Sequence, residues 1–120
     1  MSLILRLSLV ALFAAVLATA ADFKRDIIYQ IVTDRFFDGD TTNNNPAQSS
    51  GLFDSTKTNW QAYWGGDLAG IQQKMSYIAG MGVTAIWISP PVDNENVNEG
   101  GATVGAPYHG YQGKDFKRIE

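Results

Sequence analysis

The chain has 120 residues, a formal net charge of −3, 18% charged and 12% aromatic residues, and no cysteine. That balance excludes a basic nucleic-acid-binding module, which shows a Lys/Arg stripe, and it excludes a disulfide framework. With 45% apolar residues a packed core is affordable, so a disordered polar tail is excluded as well.

Met1 to Ala20 carries one early base, Arg6, an apolar run from Leu7 to Ala18, and the small-residue end Ala18-Thr19-Ala20. This pattern predicts a secretory signal cut after Ala20, with residues 21–120 as the mature, extracellular part. The apolar run is shorter than the roughly 20 residues that span a bilayer, so no membrane association is expected after cleavage. Loss of Arg6 moves the net charge from −3 to −4. A secreted chain without cysteine depends on core burial or a metal for its order.

Asp22 to Asp26 is a polar lead-in. Ile27 to Thr33 (IIYQIVT) is β-branched and aromatic, which predicts a first strand. Asp34 and Arg35 end it and read as a structural ion pair in preference to site residues. Phe37 to Trp64 is a long connection, several times the roughly 2–6 residues usual between a strand and the next helix, and such length points to function or disorder. Gly65-Gly66 then breaks regular structure, and Asp67 is a candidate N-cap. Leu68, Ile71, Met75 and Ile78 recur at three- and four-residue steps, which predicts one helix with those four on its apolar face. Gly80 and Gly82 stop it. Val83 to Ser89 is an almost uninterrupted apolar run, as in a strand covered on both faces, and Pro90-Pro91 closes it. Asp93 to Pro107 is a second long loop. Tyr108 to Asp115 (YHGYQGKD) follows, and Phe116 to Glu120 begins a further element. Strand, helix and strand in that order predict an α/β fold with parallel strands. Both long loops then lie at the carboxyl ends of the strands, where ligand sites gather in α/β folds.

Two constellations carry chemistry. Asp38-Gly39-Asp40, Asn43-Asn44-Asn45 and Asp67 are hard oxygen donors of the kind calcium takes. The spacing is not that of an EF-hand, since Thr42, Asn43 and Ser49 fall at its fifth, sixth and twelfth positions. An Asp/Asn-rich turn with no ion is the plainer alternative. Tyr108-His109-Gly110-Tyr111 places two aromatics beside the only histidine, which suits a sugar-stacking platform or a packed aromatic loop. No dinucleotide, Walker, zinc-protease or nucleophile-elbow motif is present.

Four blocks taken together, DIIYQIVTDRFFDGD, YWGGDLAGI, GMGVTAIWISPPV and YHGYQGKDF, resemble the start of the α-amylase family, glycoside hydrolase family 13, and its cyclodextrin glucanotransferase-like members. The resemblance runs from Asp26 to Phe116. It implies the N-terminal portion of a (β/α)8 barrel: Asp26–Thr33 as strand one, Leu68–Ala79 as helix one and Val83–Ser89 as strand two of an incomplete barrel. It implies a Ca2+ site formed by Asp38, Asp40 (commonly asparagine in relatives), two consecutive asparagines, the Gly65 carbonyl and Asp67. Asn43-Asn44 and Asn44-Asn45 both align, and Pro46 after the pair favours Asn44 and Asn45. It implies an α-glucan substrate such as starch or maltodextrin, with Tyr111 stacking on the sugar beside the cleaved bond, His109 hydrogen-bonding sugar hydroxyls, and Tyr108 in the same binding loop. Gln112 stands where relatives place tryptophan, and Lys57 and Trp64 stand where relatives place a disulfide. The family's nucleophilic Asp, acid/base Glu and second Asp match no residue here, so this chain carries no catalytic residue and by itself is expected to be inactive. Hydrolase and cyclising transferase remain equally open. The alternatives outside the enzyme class are a non-catalytic secreted starch-binding protein and an inactive truncated gene product.

Overall fold

The computed structural model describes residues 23–96 and 105–119. The expected signal segment over residues 1–20 and the centre of the second long loop lie outside the described residues.

A short 3-10 turn over Phe23–Arg25 leads into β1, Ile28–Ile31. β1 pairs in parallel with β2, Ala85–Ile88, in the register Ile28↔Ala85 to Ile31↔Ile88. The pairing extends past both strands: Thr84 N donates to Ile27 O, and Ser89 N donates to Ile31 O at 2.8 Å. Beyond the ladder, Ser89 Oγ accepts from Thr33 N at 3.0 Å and donates to Thr33 Oγ1 at 2.9 Å, which ties the two carboxyl ends together. The first strand is shorter than its β-branched run suggests. Thr33 opens a helical turn, α1 (Thr33–Phe36), closed by Arg35 N donating to Val32 O.

Asp67 caps the next helix as its position predicts, with Oδ1 accepting from Gly70 N at 2.6 Å. The single helix expected from periodicity is two segments, α2 (Leu68–Gln73) and α3 (Met75–Gly80). At Lys74 the backbone reaches φ −98° and ψ 7°, and its N–H is shared between Gly70 O and Ile71 O. A shared donor of this kind tightens one turn towards 3-10 geometry. Gly80 is the last helical residue, and Gly82 takes the left-handed turn, at φ +76°.

The helices cover one face of the strand pair. Ile31, Ile71 and Ile78 form the buried core, with Tyr29, Phe36, Val83 and Ile88 packed around it. Burial of each such isoleucine contributes about 1.5–3 kcal/mol. Leu68 and Met75, expected on the buried face, stay half exposed because two strands are too narrow to cover the whole helical stripe. On the opposite sheet face Ile28 is 49% and Trp87 57% exposed. Period-two alternation puts these two on that face together.

The second long loop begins in regular structure, contrary to its loop-like composition. β3, Val92–Asn94, pairs antiparallel with β4, Gly113–Ile119, in an irregular register. This hairpin brings residues 105–112 back beside the carboxyl ends of β1 and β2. No helix among the described residues is long and apolar enough to cross a membrane.

Candidate functional site

The connection from β1 to α2 folds back on the start of α2 through Asp67. Besides its capping bond, Asp67 accepts from Gly39 N at 3.1 Å, Asp40 N at 2.9 Å and Asn43 Nδ2 at 3.1 Å. Gly39 lies so close to the Gly70 backbone that a Cβ there would collide with Gly70 N. Asp38 is thereby placed beside Asn44, whose Nδ2 donates to Asp38 Oδ2 at 2.7 Å. The other oxygen of each, Asp38 Oδ1 and Asn44 Oδ1, is buried with no hydrogen-bond partner among the described residues. Leaving such an oxygen unpaired costs about 1–3 kcal/mol, more for a charged group. Gly65, at φ +88°, adjoins the same point: a Cβ on it would sit 2.5 Å from Asn44 Oδ1.

The other predicted donors are engaged differently. Asp40 Oδ1 accepts from Thr42 N at 3.0 Å and Thr42 Oγ1 at 2.6 Å, which holds its carboxyl below the usual range. Asn45 Oδ1 accepts from Gly51 N at 3.3 Å. Among the described residues no group of three or more His, Cys, Asp or Glu forms a metal cluster. Asp38 and Asn44 present a carboxylate and an amide oxygen, donors a hard cation accepts, and the Gly65 backbone adjoins them.

Asp34 and Arg35 hold the far side of this loop. Asp34 is 8% exposed. Its carboxylate accepts from Trp64 N at 3.0 Å and Gly65 N at 3.1 Å, and its main-chain oxygen accepts from Gly66 N at 2.8 Å. Arg35 Nη1 lies 3.0 Å from Asp34 Oδ2. Burial pushes the Asp34 carboxyl above its ordinary 3.8, against the pull of the Trp64 and Gly65 amides and of Arg35. The pair is structural, as expected, and reaches further than an ion pair. Arg35 donates to Ala62 O at 2.9 Å and Trp60 O at 2.7 Å. Its guanidinium carbon lies over two rings, 4.1 Å from the Trp64 centroid and 3.8 Å from that of Tyr108.

Sequence reasoning missed a second carboxylate hub. Asp54 accepts from the amides of Thr56, Thr58 and Asn59 and from the Thr56 hydroxyl, at 2.6–2.9 Å. These bonds hold its carboxyl far below the usual range. Asp40-Thr41-Thr42 and Asp54-Ser55-Thr56 share an Asp-x-Thr pattern, the sequence mark of a side chain that accepts from a backbone amide two residues on.

The aromatic loop stands opposite. Ala106 N donates to Gln61 O at 2.6 Å, joining it to the first loop. Gly110, at φ +77°, is pressed against Pro90 O where a side chain would collide. Tyr108 meets His109 edge-on at 5.4 Å, and His109 stacks on Tyr111 at 5.9 Å and 29°. Tyr111 N donates to His109 Nδ1 at 3.0 Å. That bond assigns the neutral-ring proton to Nε2, leaving an N–H free to donate. Tyr111 is 62% exposed. Both loops line one cavity of about 640 Å³, to which the first contributes Asn44 and Gly65 and the second Tyr108 and Gly110, with Asp34 and Ser89 from the strand ends.

A βαβ unit with an oxygen-rich loop and an aromatic loop at one strand end is an α/β arrangement of the barrel or open-sheet kind, the class in which ligand sites gather at that end. A family profile described as "Alpha amylase, catalytic domain" matches residues 30–120. The chain is 48% identical over 105 residues to a cyclomaltodextrin glucanotransferase of Thermoanaerobacterium thermosulfurigenes, covering 84% of this chain and 14% of that protein. It is 51% identical over 102 residues to an alpha-amylase of Niallia circulans, covering 81% and 19%. The crystal structure of CldA, a cyclomaltodextrin glucanotransferase with a three-domain ABC distribution, superposes with a TM-score of 0.73 at 57% identity, over 79% of this chain and 20% of that one. The alpha-amylase of Geobacillus thermoleovorans, complexed with acarbose, superposes at 0.51 and 34% identity, over 79% and 16%. The chain belongs to the α-amylase family of glycosidases, by its catalytic domain. It spans less than a fifth of the length of the two curated relatives.

Proposed function

We propose that this chain is the N-terminal part of a secreted α-glucan-active enzyme that acts on α-1,4 linkages of starch or maltodextrin with retention, as hydrolase or cyclising transferase. β1, the α2–α3 helix and β2 are the first two strands and first helix of a (β/α)8 barrel. The observation that carries this reading is the cavity that Asn44 and Gly65 of the first loop line together with Tyr108 and Gly110 of the second; the orphaned Asp38 and Asn44 oxygens and the His109–Tyr111 stack belong to the same two loops. His109 Nε2–H donates to a sugar oxygen, and the Tyr111 ring stacks on a sugar face.

A calcium ion fits the orphaned oxygens of Asp38 and Asn44. Asp38, Asn44 and the Gly65 carbonyl would hold it, with Asp40, Asn45 and Asp67 nearby. When bound it supplies loop order, not proton transfer. Retaining hydrolysis needs two carboxyl groups about 5–5.5 Å apart across the bond, and neither is assigned to a residue of this stretch.

The test is incubation of the whole polypeptide that carries this sequence with maltoheptaose, following the anomeric protons of the first product by NMR. The α-anomer is expected. The β-anomer would remove retention. Glucan binding without turnover would leave the starch-binding alternative.

A further inference from the structure

We propose that Arg35 is the positioning residue of the glucan platform, acting through Tyr108, one ring face of which it closes to sugar. The inference rests on the glucan-binding reading and goes beyond it. Arg35 is immobilised by three polar partners, the carbonyls of Trp60 and Ala62 and the carboxylate of Asp34. Its planar fork therefore has one orientation. Its guanidinium carbon lies over the faces of two rings, Trp64 and Tyr108. The Tyr108 ring thus gives a face to a fixed cation, and its neighbour His109 meets it edge-on. A sugar cannot stack on the face that Arg35 occupies.

The chain of contacts then runs outward. Arg35 sets Tyr108, Tyr108 sets His109, and His109 is locked to Tyr111 by the Tyr111 N–H to Nδ1 bond. The Gly110 backbone against Pro90 O holds the other end of the segment. Asp34, which pairs with Arg35, also holds the Gly65 amide of the oxygen-rich loop. One dipeptide therefore contacts both loops, Gly65 through Asp34 and Tyr108 through Arg35. Lysine cannot substitute, because an ammonium has neither the two stacking faces nor the fork.

The experiment uses the whole polypeptide that carries this sequence. Maltoheptaose affinity is measured by tryptophan fluorescence, folding by thermal melting, and the His109 ring protons by NMR, in Arg35→Lys, Tyr108→Leu, Tyr108→Phe and Tyr111→Ala. Arg35→Lys and Tyr108→Leu are expected to weaken binding about tenfold while still melting cooperatively, with shifted His109 resonances. Tyr108→Phe keeps the stack and is expected to bind as the parent does. Wild-type affinity in folded Tyr108→Leu would overturn the proposal, and so would a Tyr108→Phe loss equal to that of Tyr111→Ala. If Arg35→Lys does not fold, the two Tyr108 variants decide it. No maltoheptaose binding by the parent would overturn the glucan reading and this inference with it, whereas parent binding with unaffected variants overturns this inference alone.

Discussion

Asp38 Oδ2 accepts from Asn44 Nδ2 at 2.7 Å, and Asp38 Oδ1 and Asn44 Oδ1 are buried without a partner among the described residues. Two buried orphan oxygens on hydrogen-bonded neighbours are a standing cost that a cation removes. Added calcium is expected to raise the melting temperature, and chelation to lower it. Magnesium should do less, since it demands a stricter octahedron and gives up water reluctantly. Asp38→Ala should weaken calcium binding on the order of 100-fold, read by calorimetric titration. No change in melting on chelation would refute the site.

Gly65→Ala probes the same point from the backbone. A side chain at φ +88° costs about 1–2 kcal/mol, and its Cβ would displace the Asn44 amide. Lower thermal stability together with weaker calcium affinity is expected. Lower stability alone would separate Gly65 from the ion.

Asp34→Ala should destabilise by about 3 kcal/mol at neutral pH, because it strips the Trp64 and Gly65 amides and leaves Arg35 unpaired. The pH dependence has a definite sign. Burial raises the folded-state pKa of Asp34 above 3.8. Its titration term is fully present below the unfolded value and is lost as pH rises through the raised value. The stability gap between parent and variant should therefore be widest in acid and narrow as pH rises, a trend denaturant melts at several pH values will show.

Asp54 has the opposite sign. Its pKa is depressed by the Thr56 hydroxyl and the amides of Asn59, Thr56 and Thr58. The order it contributes is present above the ordinary carboxylate value of 3.8 and fades as pH falls below it. Protection from hydrogen exchange at Thr56, Thr58 and Asn59, taken relative to the intrinsic rate at each pH, should fall in acid, and in Asp54→Ala it should be low at every pH. Unchanged protection in the variant would count against the hub.

Tyr111→Ala removes an exposed ring, so folding should be untouched, while maltoheptaose affinity should fall about tenfold, near the upper end of an aromatic stacking contribution. Fluorescence titration measures it, and parent-like affinity would take Tyr111 out of the platform.

The locally specified elements were legible. Asp67 as cap, the helix after it, and the β2 run before Pro90-Pro91 each announce themselves within a few residues. β3 did not, because Asp93 and Asn94 are poor strand formers and pair only through β4, far along the chain. The Arg35 cation–π contacts were hidden for the same reason: Trp64 and Tyr108 are distant in sequence and reach Arg35 only in the fold. The Asp-x-Thr pairs were visible and went unread.

The β1–β2 ladder leaves Ile28 and Trp87 bare on one face, and no further strand flanks it among the described residues. Such edges invite pairing with other chains. During synthesis this stretch is thus a sticky template from its emergence until something covers it, and expression of these residues alone should yield chaperone-bound or insoluble material.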